Sequence, residues 1–368
     1  MTATIKKRIL IGMSGGVDSS VAAGLLAREG YDVTGVTLKL WEGEDNSDAR
    51  WQDRSCCKVG IARYVCDEIR IPHTVVDLRD TFRANVVEDF LDTYARGETP
   101  NPCVRCNESV KITGLLAYAR ANGFDAIATG HYARIERTGT GARRLLAGAD
   151  PLKDQSYFLY RIRREDLSAI RFPLGALRKT QVMQIAREFG FPADEIAESQ
   201  EICFVNDDYR EFLRAERPEV AQRGEIVDID GRVLGTHGGV ALHTIGQRRG
   251  LNVATGSRVY VVDTDTASGR VTVGPPEALE AAGLEADQLN LLAPLSGTVR
   301  VHARIRHRSA PVAATARIDG ERLTVTFHAP QRAVAPGQSV VLYDGDTVLG
   351  GGVIRRAIPT RSGTERAA

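Results

Sequence analysis

Apolar positions from the N-terminus to about residue 216 alternate between short continuous runs and longer amphipathic stretches. The short runs predict buried strands at "RILIGM", "DVTGVTLKL", "HTVVDL" and "DAIATG". The amphipathic stretches predict helices at "SSVAAGLLAREG", "CCKVGIARYVCDEIR", "DTFRANVVEDFLDTYARG", "VKITGLLAYARANG", "LRKTQVMQIAREFG" and "DDYREFLRAE". The segment "RIERTGTGARRLLAG" predicts an inserted hairpin. This order predicts an α/β domain with a doubly wound parallel sheet, right-handed crossovers and helices on both faces.

The pattern changes from about Gly224 onward, where period-two alternation replaces helical spacing. Segments such as "GEIVDIDGRVLG", "SRVYVVDTD", "GRVTVG", "RLTVTFH" and "QSVVLYDGDTVLGGGVI" are separated by turn residues, and only "PEALEAAG" keeps a helical pattern. We therefore predict a small central β-rich domain followed by a C-terminal β-barrel. The expected domains are residues 1–216, 217–285 and 286–360, with a disordered tail at 361–368.

The composition is that of an ordinary globular protein: of 368 residues, 43% are hydrophobic and 26% are charged. The formal net charge of +1 excludes a uniformly basic surface, so any binding to nucleic acid must use local patches. No apolar run reaches membrane-spanning length, and "MTATIKKRILIG" lacks a signal-peptide core. We expect a cytoplasmic protein with no membrane partner, whose six cysteines are buried, metal-binding or catalytic rather than disulfide-bonded for structure.

A glycine-rich loop stands where the first predicted strand meets the first predicted helix, in "ILIGMSGGVDSS". Its glycines let the backbone approach a ligand closely, and a helix N-terminus favours anions. It is not a Walker A loop, since the chain has no Gly-Lys pair, and it does not match G-x-G-x-x-G. The pattern predicts a phosphate cradle; the simpler alternative is a glycine turn that only caps the helix.

A second candidate is the single Cys-x-x-Cys pair in "NPCVRCN". Its spacing suits half a zinc site, a dithiol redox switch or a pair of catalytic thiols, and spacing alone does not choose among them. A tetrahedral structural zinc site needs four ligands, and the chain has no second Cys-x-x-Cys to complete it.

Residues 14–19, "SGGVDS", resemble the SGGxDS signature of the PP-loop ATP pyrophosphatases. Five later motifs follow in the same order as in the tRNA-specific 2-thiouridylases: "TPNPCVRCN", "ATGHYAR", "KDQSYFLY", "EICFV" and "HTIGQRRGL". The similarity covers nearly the whole chain. Members of that family use ATP to activate C2 of the wobble uridine of tRNA and replace its oxygen with sulfur. The resemblance therefore implies an ATP-dependent tRNA sulfurtransferase.

The resemblance also implies site residues, carried over position by position. The contacts to ATP would come from Gly12, Met13, Ser14, Gly15, Gly16, Val17, Asp18, Ser19, Leu38 and Gly130. Asp18 would in addition help to hold Mg²⁺ against the pyrophosphate. The target base would lie against Asn101, Pro102 and Cys103. The contacts to tRNA would come from His131, Lys153, Asp154, Gln155, Arg306, His307 and Gln338.

Two mechanisms of sulfur transfer remain open within this resemblance. In the first, Cys203 carries a persulfide supplied by a sulfur-relay protein, and Cys106 is the nucleophile that releases the product by forming a Cys106–Cys203 disulfide. In the second, Cys103, Cys106 and Cys203 ligate an iron–sulfur cluster that binds the incoming sulfur. Cys103 stands where some members have an aspartate, which puts a general-base role there in doubt and supplies a third thiol. His243 stands where a tyrosine is common.

Two other functions fit parts of the sequence. A PP-loop synthetase that adenylates a small carboxylic acid or a urea-type oxygen for amidation would use the same loop. It would leave "NPCVRCN" and Cys203 unexplained. A non-catalytic RNA-binding protein would have no use for an intact nucleotide loop.

Several of these residues also have simpler interpretations. His131 after a strand can be a satisfied polar residue. The segment "KDQSYFLY" can be the start of an amphipathic helix, and we favour a mixed use with Lys153 and Gln155 at the RNA and the aromatic side chains buried. Four arginines in "RVHARIRHR" are predicted to share one strand face, suited to solubility or to phosphate contacts: Arg300, Arg304, Arg306 and Arg308. Three further cysteines are expected to be packing residues: Cys56, Cys57 and Cys66.

Overall fold

The computed structural model describes residues 6–41, 58–196, 202–205 and 208–360. Cys56, Cys57 and the predicted tail at 361–368 lie outside these residues. The described helices are α1 Val17–Arg28, α2 Val59–Glu68, α3 Arg79–Phe82, α4 Glu88–Ala95, α5 Pro102–Cys106, α6 Thr113–Ala121, α7 Lys179–Glu188 and α8 Tyr209–Glu216. Turns of π-helix cover Arg83–Val87 and Asn107–Ile112.

The described strands follow in chain order. They are β1 Arg8–Gly12, β2 Asp32–Lys39, β3 His73–Asp77, β4 Ala126–Ala128, β5 Ala133–Arg137, β6 Arg143–Ala147, β7 Ile170–Arg171, β8 Gly224–Asp228, β9 Val233–His237, β10 Tyr260–Asp265, β11 Arg270–Gly274, β12 Glu280–Leu291, β13 Gly297–Arg304, β14 Val312–Asp319, β15 Arg322–Arg332, β16 Ser339–Asp344 and β17 Thr347–Pro359.

The chain forms two compact units. The first comprises residues 1–86, 103–206 and 346–348, and the second comprises residues 87–102, 207–345 and 349–368. Among the described residues, no helix combines the length and the apolar character needed to cross a lipid bilayer.

A five-stranded parallel sheet forms the centre of the first unit, with the strand order β3-β2-β1-β4-β7. Its central strand β1 is apolar, so Ile9, Leu10 and Ile11 are almost fully buried. Apolar side chains from α1 and α7, including Val21 and Val182, belong to the same core cluster as β1. The predicted α/β domain with a parallel sheet is confirmed.

The predicted hairpin is also present in the first unit. β5 and β6 are antiparallel, with Ala133 opposite Ala147. Leu146 of β6 pairs in turn with Thr347, a residue of the short segment 346–348 that belongs to this unit.

A four-stranded sheet with the order β10-β11-β8-β9 lies in the second unit. β8 and β11 are parallel, whereas the other neighbours are antiparallel. Val261, Val271 and Val273 are fully buried in its core. This sheet is the small β-rich domain that the alternating pattern predicted.

Six strands of the second unit form a closed barrel in the order β12-β15-β14-β13-β16-β17, and β12 pairs with β17 to close it. Alternate side chains of each strand fill the interior, as Leu323 and Val325 of β15 do. The predicted C-terminal barrel is therefore confirmed. β12 begins at Glu280 and runs across the expected domain boundary near residue 286.

The predicted row of four arginines on one strand face is wrong. β13 ends at Arg304, and the chain bends and turns over residues 305–308. Arg304 is buried, and its guanidinium donates to the carbonyl oxygen of His307. Arg300 and Arg306 are exposed. Side chains alternate between two faces only within a strand, so the even spacing carries no meaning beyond the strand end.

Two segments with helical spacing form only single turns. A short 3-10 turn covers Ser156–Phe158 within "KDQSYFLY", and another covers Pro276–Leu279 before β12. Tyr157 and Tyr160 are fully buried. The burial of these aromatic side chains was predicted correctly, although the amphipathic helix was not.

Candidate active site

The nucleotide loop and Gly130 meet at the carboxyl edge of the parallel sheet. The strand order reverses between the neighbouring strands β1 and β4, and these strands lead into residues 13–16 and Gly130 respectively. Open α/β sheets bind ligands in the crevice at such a switch point. A Cβ atom on Gly130 would lie 2.8 Å from the backbone nitrogen of Ser19, so any larger residue there would displace the loop.

The nucleotide loop, residues 13–16, is shaped by hydrogen bonds of Ser14 and Ser19 and by a glycine with positive φ. Ser19 Oγ accepts a hydrogen bond from the Ser14 N–H at 3.2 Å and donates one to the Gly16 carbonyl oxygen at 3.0 Å. Gly15 has a φ of 76°, in the left-handed region that glycine tolerates. The N-cap of α1 is Gly16, so no side chain caps its first N–H groups. These groups and the helix dipole suit a phosphate oxyanion.

Asp18 is the acidic group in the first turn of α1. Its Oδ1 accepts hydrogen bonds from Tyr132 Oη and from Lys179 Nζ, each at 2.8 Å. Lys179 begins α7, and its backbone N–H donates to Asp150 Oδ2 at 2.9 Å. This N–H is the largest cause of the lowered pKa of Asp150. The sequence did not predict these two contacts: Tyr132, although within the "ATGHYAR" motif, and Lys179 are 114 and 161 residues from Asp18 along the chain.

The segment that carries Cys103 and Cys106 leads into α6, whose first turn lies at the same sheet edge. A Cβ atom on Gly114 would lie 2.8 Å from Leu78, which directly follows β3, and one on Gly12 would lie 3.2 Å from Leu115. α6 therefore begins at the carboxyl ends of β1 and β3. Cys106 is only seven residues upstream of Thr113, the first residue of α6, and is buried.

Charged and polar contacts hold the cysteine segment in place. Glu108 Oε2 binds two guanidinium groups, those of Arg105 and Arg161, each at 2.8 Å. Asn107 Nδ2 donates to the Cys103 carbonyl oxygen at 3.0 Å. Cys103 itself is exposed. The two cysteines of the Cys-x-x-Cys pair are thus in different surroundings.

Cys203 is half-buried and is positioned by its neighbour Phe204. Phe204 is 3% exposed and packs against Phe82 and Trp41, with ring centroids 5.6 and 5.9 Å apart. Trp41 lies two residues beyond the end of β2, near Leu38. The carboxyl edge of the sheet therefore carries the nucleotide loop, the segment of Cys106 and the segment of Cys203.

His131 directly follows Gly130. Its Nδ1 lies 2.7 Å from Thr129 Oγ1, and its ring contacts Phe172 edge-on. Burial, and to a smaller extent the cation of Lys111, lowers the pKa of His131 to about 3. Lys111 belongs to the π-helical turn after Cys106. A positive charge of the cysteine segment therefore lies close enough to His131 to affect its pKa.

The segment of Lys153, Asp154 and Gln155 uses two of its side chains in hydrogen bonds within the first unit. The buried Asp154 Oδ1 accepts from the backbone N–H groups of Gly148 and Ser156, both at 3.0 Å. Gln155 Oε1 accepts from a backbone N–H at 3.0 Å. These contacts support the structural interpretation for Asp154 and Gln155.

Other predicted tRNA and target-base residues lie in the second unit. Gln338 Nε2 donates to the carbonyl oxygens of Thr99 and Pro100, at 3.2 and 2.8 Å, so it supports the segment that leads to Asn101 and Pro102. Pro102 is buried and Asn101 is half-buried.

Arg306 and His243 also belong to the second unit. The exposed Arg306 donates to the carbonyl oxygen of Ala333, and His307 beside it is half-buried. His243 is buried, with Nδ1 3.1 Å from the Gly239 carbonyl oxygen. Burial lowers the pKa of His243. His243 is therefore a buried side chain that is hydrogen-bonded to the backbone.

Three regions of the chain match known families. Residues 7–207 match the tRNA methyl transferase HUP domain, and residues 210–275 match the tRNA methyl transferase PRC-barrel domain. Residues 281–354 match the aminomethyltransferase beta-barrel domain. Among solved structures, a 4-thiouridine synthetase–RNA complex with bound ATP is 16% identical, covers 58% of this chain and 51% of that chain, and has a TM-score of 0.34. This structural similarity is weak.

Curated relatives extend along almost the whole chain. The tRNA-specific 2-thiouridylase MnmA of Geobacter metallireducens is 47% identical, over 97% of this chain and 99% of that protein. The tRNA-specific 2-thiouridylase MnmA of Caulobacter vibrioides is 47% identical, over 94% of each chain. Identity at this level over full length, together with a nucleotide loop and two cysteine segments at one sheet edge, shows that the chain belongs to the tRNA-specific 2-thiouridylase family.

Proposed function

We propose that this chain is an ATP-dependent tRNA sulfurtransferase that replaces O2 of the wobble uridine with sulfur. The proposal is supported by full-length membership of the family and by the common location of a candidate ATP-binding loop and two candidate sulfur-transfer cysteines. The nucleotide loop and the segments of Cys106 and Cys203 lie along the carboxyl edge of one sheet. Activation of an oxygen and delivery of sulfur require such proximity.

The first step activates the uridine. O2 of the base attacks Pα of ATP, the bond between Pα and the bridging oxygen breaks, and pyrophosphate leaves. The product carries AMP on O2, which converts a poor leaving group into a good one. The N–H groups at the start of α1 bind phosphate oxygens, and Lys179 brings a positive charge close to them.

Magnesium would be held by Asp18. The carboxylate suits a hard divalent cation, and its Oδ2 accepts no hydrogen bond from the residues that the structure describes. When bound, the ion would neutralise charge on the pyrophosphate group. Asp18 itself stays oriented through the two donors on Oδ1.

The second step transfers sulfur. The terminal sulfur of a Cys203 persulfide attacks C2, and AMP leaves with the former O2. The Cys106 thiolate then attacks the Cys203 sulfur, the sulfur–sulfur bond of the adduct breaks, and its electrons stay on the sulfur bound to C2. The products are 2-thiouridine and a Cys106–Cys203 disulfide, which a thiol reductant must reduce before the next turnover.

We propose the persulfide route in preference to the iron–sulfur alternative. Within residues 6–41, 58–196, 202–205 and 208–360, no group of three or more His, Cys, Asp or Glu side chains is arranged to hold a metal ion. Cys103 is exposed whereas Cys106 is buried. The persulfide route needs only Cys106 and Cys203 and is the one we propose, with Cys103, Asn101 and Pro102 at the target base.

Two macromolecular partners follow from this chemistry. The tRNA must reach the sheet edge and the exposed residues of the second unit, such as Arg306. A sulfur-donor protein must load Cys203, which is half-buried and not fully enclosed. We propose the cytoplasm as the compartment of the enzyme and of both partners.

The experiment that tests adenylation at this loop is Asp18→Ala, read by tRNA-dependent release of pyrophosphate from Mg·ATP. We expect release to fall by about 100-fold or more, because a charge-stabilising group is lost at the leaving pyrophosphate. Asp32→Ala is the matched control, since Asp32 is an exposed carboxylate at the opposite, amino end of β2. A folded Asp18→Ala protein with near-normal release would contradict the proposal.

A further inference from the structure

A chain of hydrogen bonds links residues 153–155 to Asp18 through Tyr132. The Tyr132 N–H donates to Gln155 Oε1 at 3.0 Å, and the Gln155 N–H donates to the Tyr132 carbonyl oxygen at 2.9 Å. At its other end, Tyr132 Oη donates to Asp18 Oδ1 at 2.8 Å. One residue therefore contacts both the segment expected to meet tRNA and the acidic group expected to meet magnesium.

Both attachments of Tyr132 are stiff. The residue is 2% exposed and belongs to the core cluster that also contains Val17 and Val21 of α1. The segment 153–155 is a closed turn, because Asp154 accepts hydrogen bonds from two backbone N–H groups. A Cβ atom on Gly148 would lie 2.8 Å from the Tyr132 carbonyl oxygen, so the backbones are packed tightly. Close packing transmits a displacement instead of absorbing it.

The two oxygens of the Asp18 carboxylate are in different states. Oδ1 accepts from Tyr132 and Lys179, whereas Oδ2 accepts no hydrogen bond within the part of the chain that the structure describes. Two donors on one oxygen fix the torsion of the carboxylate, and this torsion decides where Oδ2 points. The orientation of Oδ2 therefore depends on the position of Tyr132.

We infer that Tyr132 is a positioning residue that couples the binding of tRNA to the binding of Mg·ATP. The inference rests on the proposed function, in which Asp18 meets Mg²⁺, and on the sequence prediction that the turn of residues 153–155 meets tRNA. A tRNA that contacts the turn shifts the Gln155–Tyr132 bonds and so changes the orientation of Asp18. By linkage, Mg·ATP changes the affinity for tRNA by the same factor. This coupling restricts productive ATP binding to the enzyme that already holds tRNA.

Tyr132→Phe tests the inference, because it removes the hydroxyl and keeps the buried ring. The measurement is the Kd of the enzyme for the Mg²⁺ complex of α,β-methylene-ATP, an analogue that cannot lose pyrophosphate. It is made in the presence and in the absence of unmodified tRNA transcript. We expect tRNA to change this Kd by about 5- to 150-fold in the wild type, the usual range of allosteric coupling. In Tyr132→Phe the ratio should fall to within about twofold of one.

Tyr31→Phe is the matched control, since Tyr31 packs against the same core cluster and its hydroxyl does not bind Asp18. This control should keep the wild-type ratio. Thermal unfolding checks that each variant is folded, and Asp18→Asn, which removes the charge at the acceptor, should abolish the coupling independently. A Tyr132→Phe protein with the wild-type ratio would overturn the inference and leave the proposed function standing. Equal Kd values with and without tRNA in the wild type would also overturn it. If the wild type does not bind the analogue at all, the proposed function itself fails.

Discussion

At the scale of single residues, the cysteines of the first unit differ in exposure and therefore in what they can reach. Cys106 is buried, Cys203 is half-buried and Cys103 is exposed. Cys66 is buried in the core behind the sheet edge, and burial raises its pKa to about 12. Only a thiolate is a good nucleophile, so Cys66 is inert. The four thiols therefore differ in their access to solvent and to a substrate.

We predict that Cys106→Ser and Cys203→Ser each abolish 2-thiouridine formation, whereas Cys103→Ser keeps most of the wild-type activity. Serine cannot carry a persulfide or form a disulfide. Pyrophosphate release should persist in all three variants, because adenylation precedes sulfur transfer. Nucleoside analysis of tRNA digests measures the product, and Cys66→Ala is the control that removes an inert thiol.

Full activity in either the Cys106 or the Cys203 variant would contradict the persulfide mechanism. Loss of activity in Cys103→Ser, together with loss of bound iron from anaerobically purified enzyme, would favour the cluster mechanism instead.

The contact partners of individual site residues are the feature that the sequence predicts least well. The glycine-rich loop was evident because the five specified residues of SGGxDS occur where a predicted strand leads into a predicted helix. Tyr132 lies within the "ATGHYAR" motif and Lys179 lies in no quoted motif, but their contacts with Asp18 form only in the folded sheet. Asp154 was expected at tRNA, yet its carboxylate is buried on backbone N–H groups. Such partner choices depend on distances that the spacing along a chain does not contain.

At the scale of elements, the segment of Cys203 is packed against the first unit through the aromatic ring of Phe204. Phe204 follows Cys203 directly and packs against Trp41 and Phe82. Aromatic pairs at such distances add about 0.5–1.5 kcal/mol beyond the burial of area. The placement of Cys203 is thus sensitive to this ring.

We predict that Phe204→Leu lowers the rate of thiolation several-fold and leaves tRNA-dependent pyrophosphate release unchanged. Leucine keeps most of the apolar volume but loses the ring contacts, so the Cys203 segment becomes less well placed. The two rates are measured on the same samples. Phe191→Leu is the matched control, because Phe191 is buried in the core of the same unit. Equal losses in both rates would show that Phe204 supports the whole unit and not the sulfur carrier.

The elements themselves were largely predictable. Apolar runs predict central strands such as β1, and turn residues between alternating segments predict the hairpin of β5 and β6. The π-helical turns at Arg83–Val87 and Asn107–Ile112 were not predicted. A single wide turn shifts the apolar spacing by one residue, which a periodicity of 3.6 residues does not distinguish. β7 was not predicted either. It has only two residues, too few to form a recognisable pattern, and it is defined by its pairing with β4.

At the scale of the whole molecule, the near-zero net charge means that tRNA must be attracted by local groups. The formal charge is +1, with 48 basic and 47 acidic residues. Arg304, expected in an exposed row, is buried, so the row cannot act as one phosphate-binding surface. Arg306 stays exposed at the turn after β13.

We predict that Arg306→Ala weakens tRNA binding and lowers the slope of log K against log salt by about one unit, because one phosphate contact is lost. Filter binding at several salt concentrations measures the slope. Arg317→Ala is the control, since Arg317 is also exposed on the barrel. An unchanged slope for Arg306→Ala would remove this turn from the tRNA footprint.

The stability of the molecule should fall in mild acid because of one half-buried and two buried histidines. Burial lowers the pKa of His131 in the first unit and of His237 and His243 in the second. A histidine in the unfolded chain has a pKa of about 6.5, so below this pH the unfolded state binds more protons than the folded state. Stability is therefore full above about pH 6.5 and is lost as the pH falls toward the folded pKa, which for His131 is about 3.

We predict that His131→Gln reduces the fall in unfolding temperature between about pH 7.5 and about pH 5, since each such histidine contributes up to about 1.4 kcal/mol per pH unit. Thermal unfolding followed by circular dichroism measures the change. His302→Gln, at an exposed position of β13, should leave the fall as in the wild type. An identical fall in His131→Gln would mean that other groups dominate the acid sensitivity.

The most direct measurement is thiolation of tRNA in vitro. Purified enzyme is incubated with unmodified tRNA, Mg·ATP and a persulfide donor, and the nucleosides and nucleotides are quantified. We predict one 2-thiouridine at the wobble position for each AMP and each pyrophosphate released, and none when ATP, tRNA or the donor is omitted. Pyrophosphate release stimulated by a small acid without RNA, or tRNA that is bound but never modified, would contradict the account.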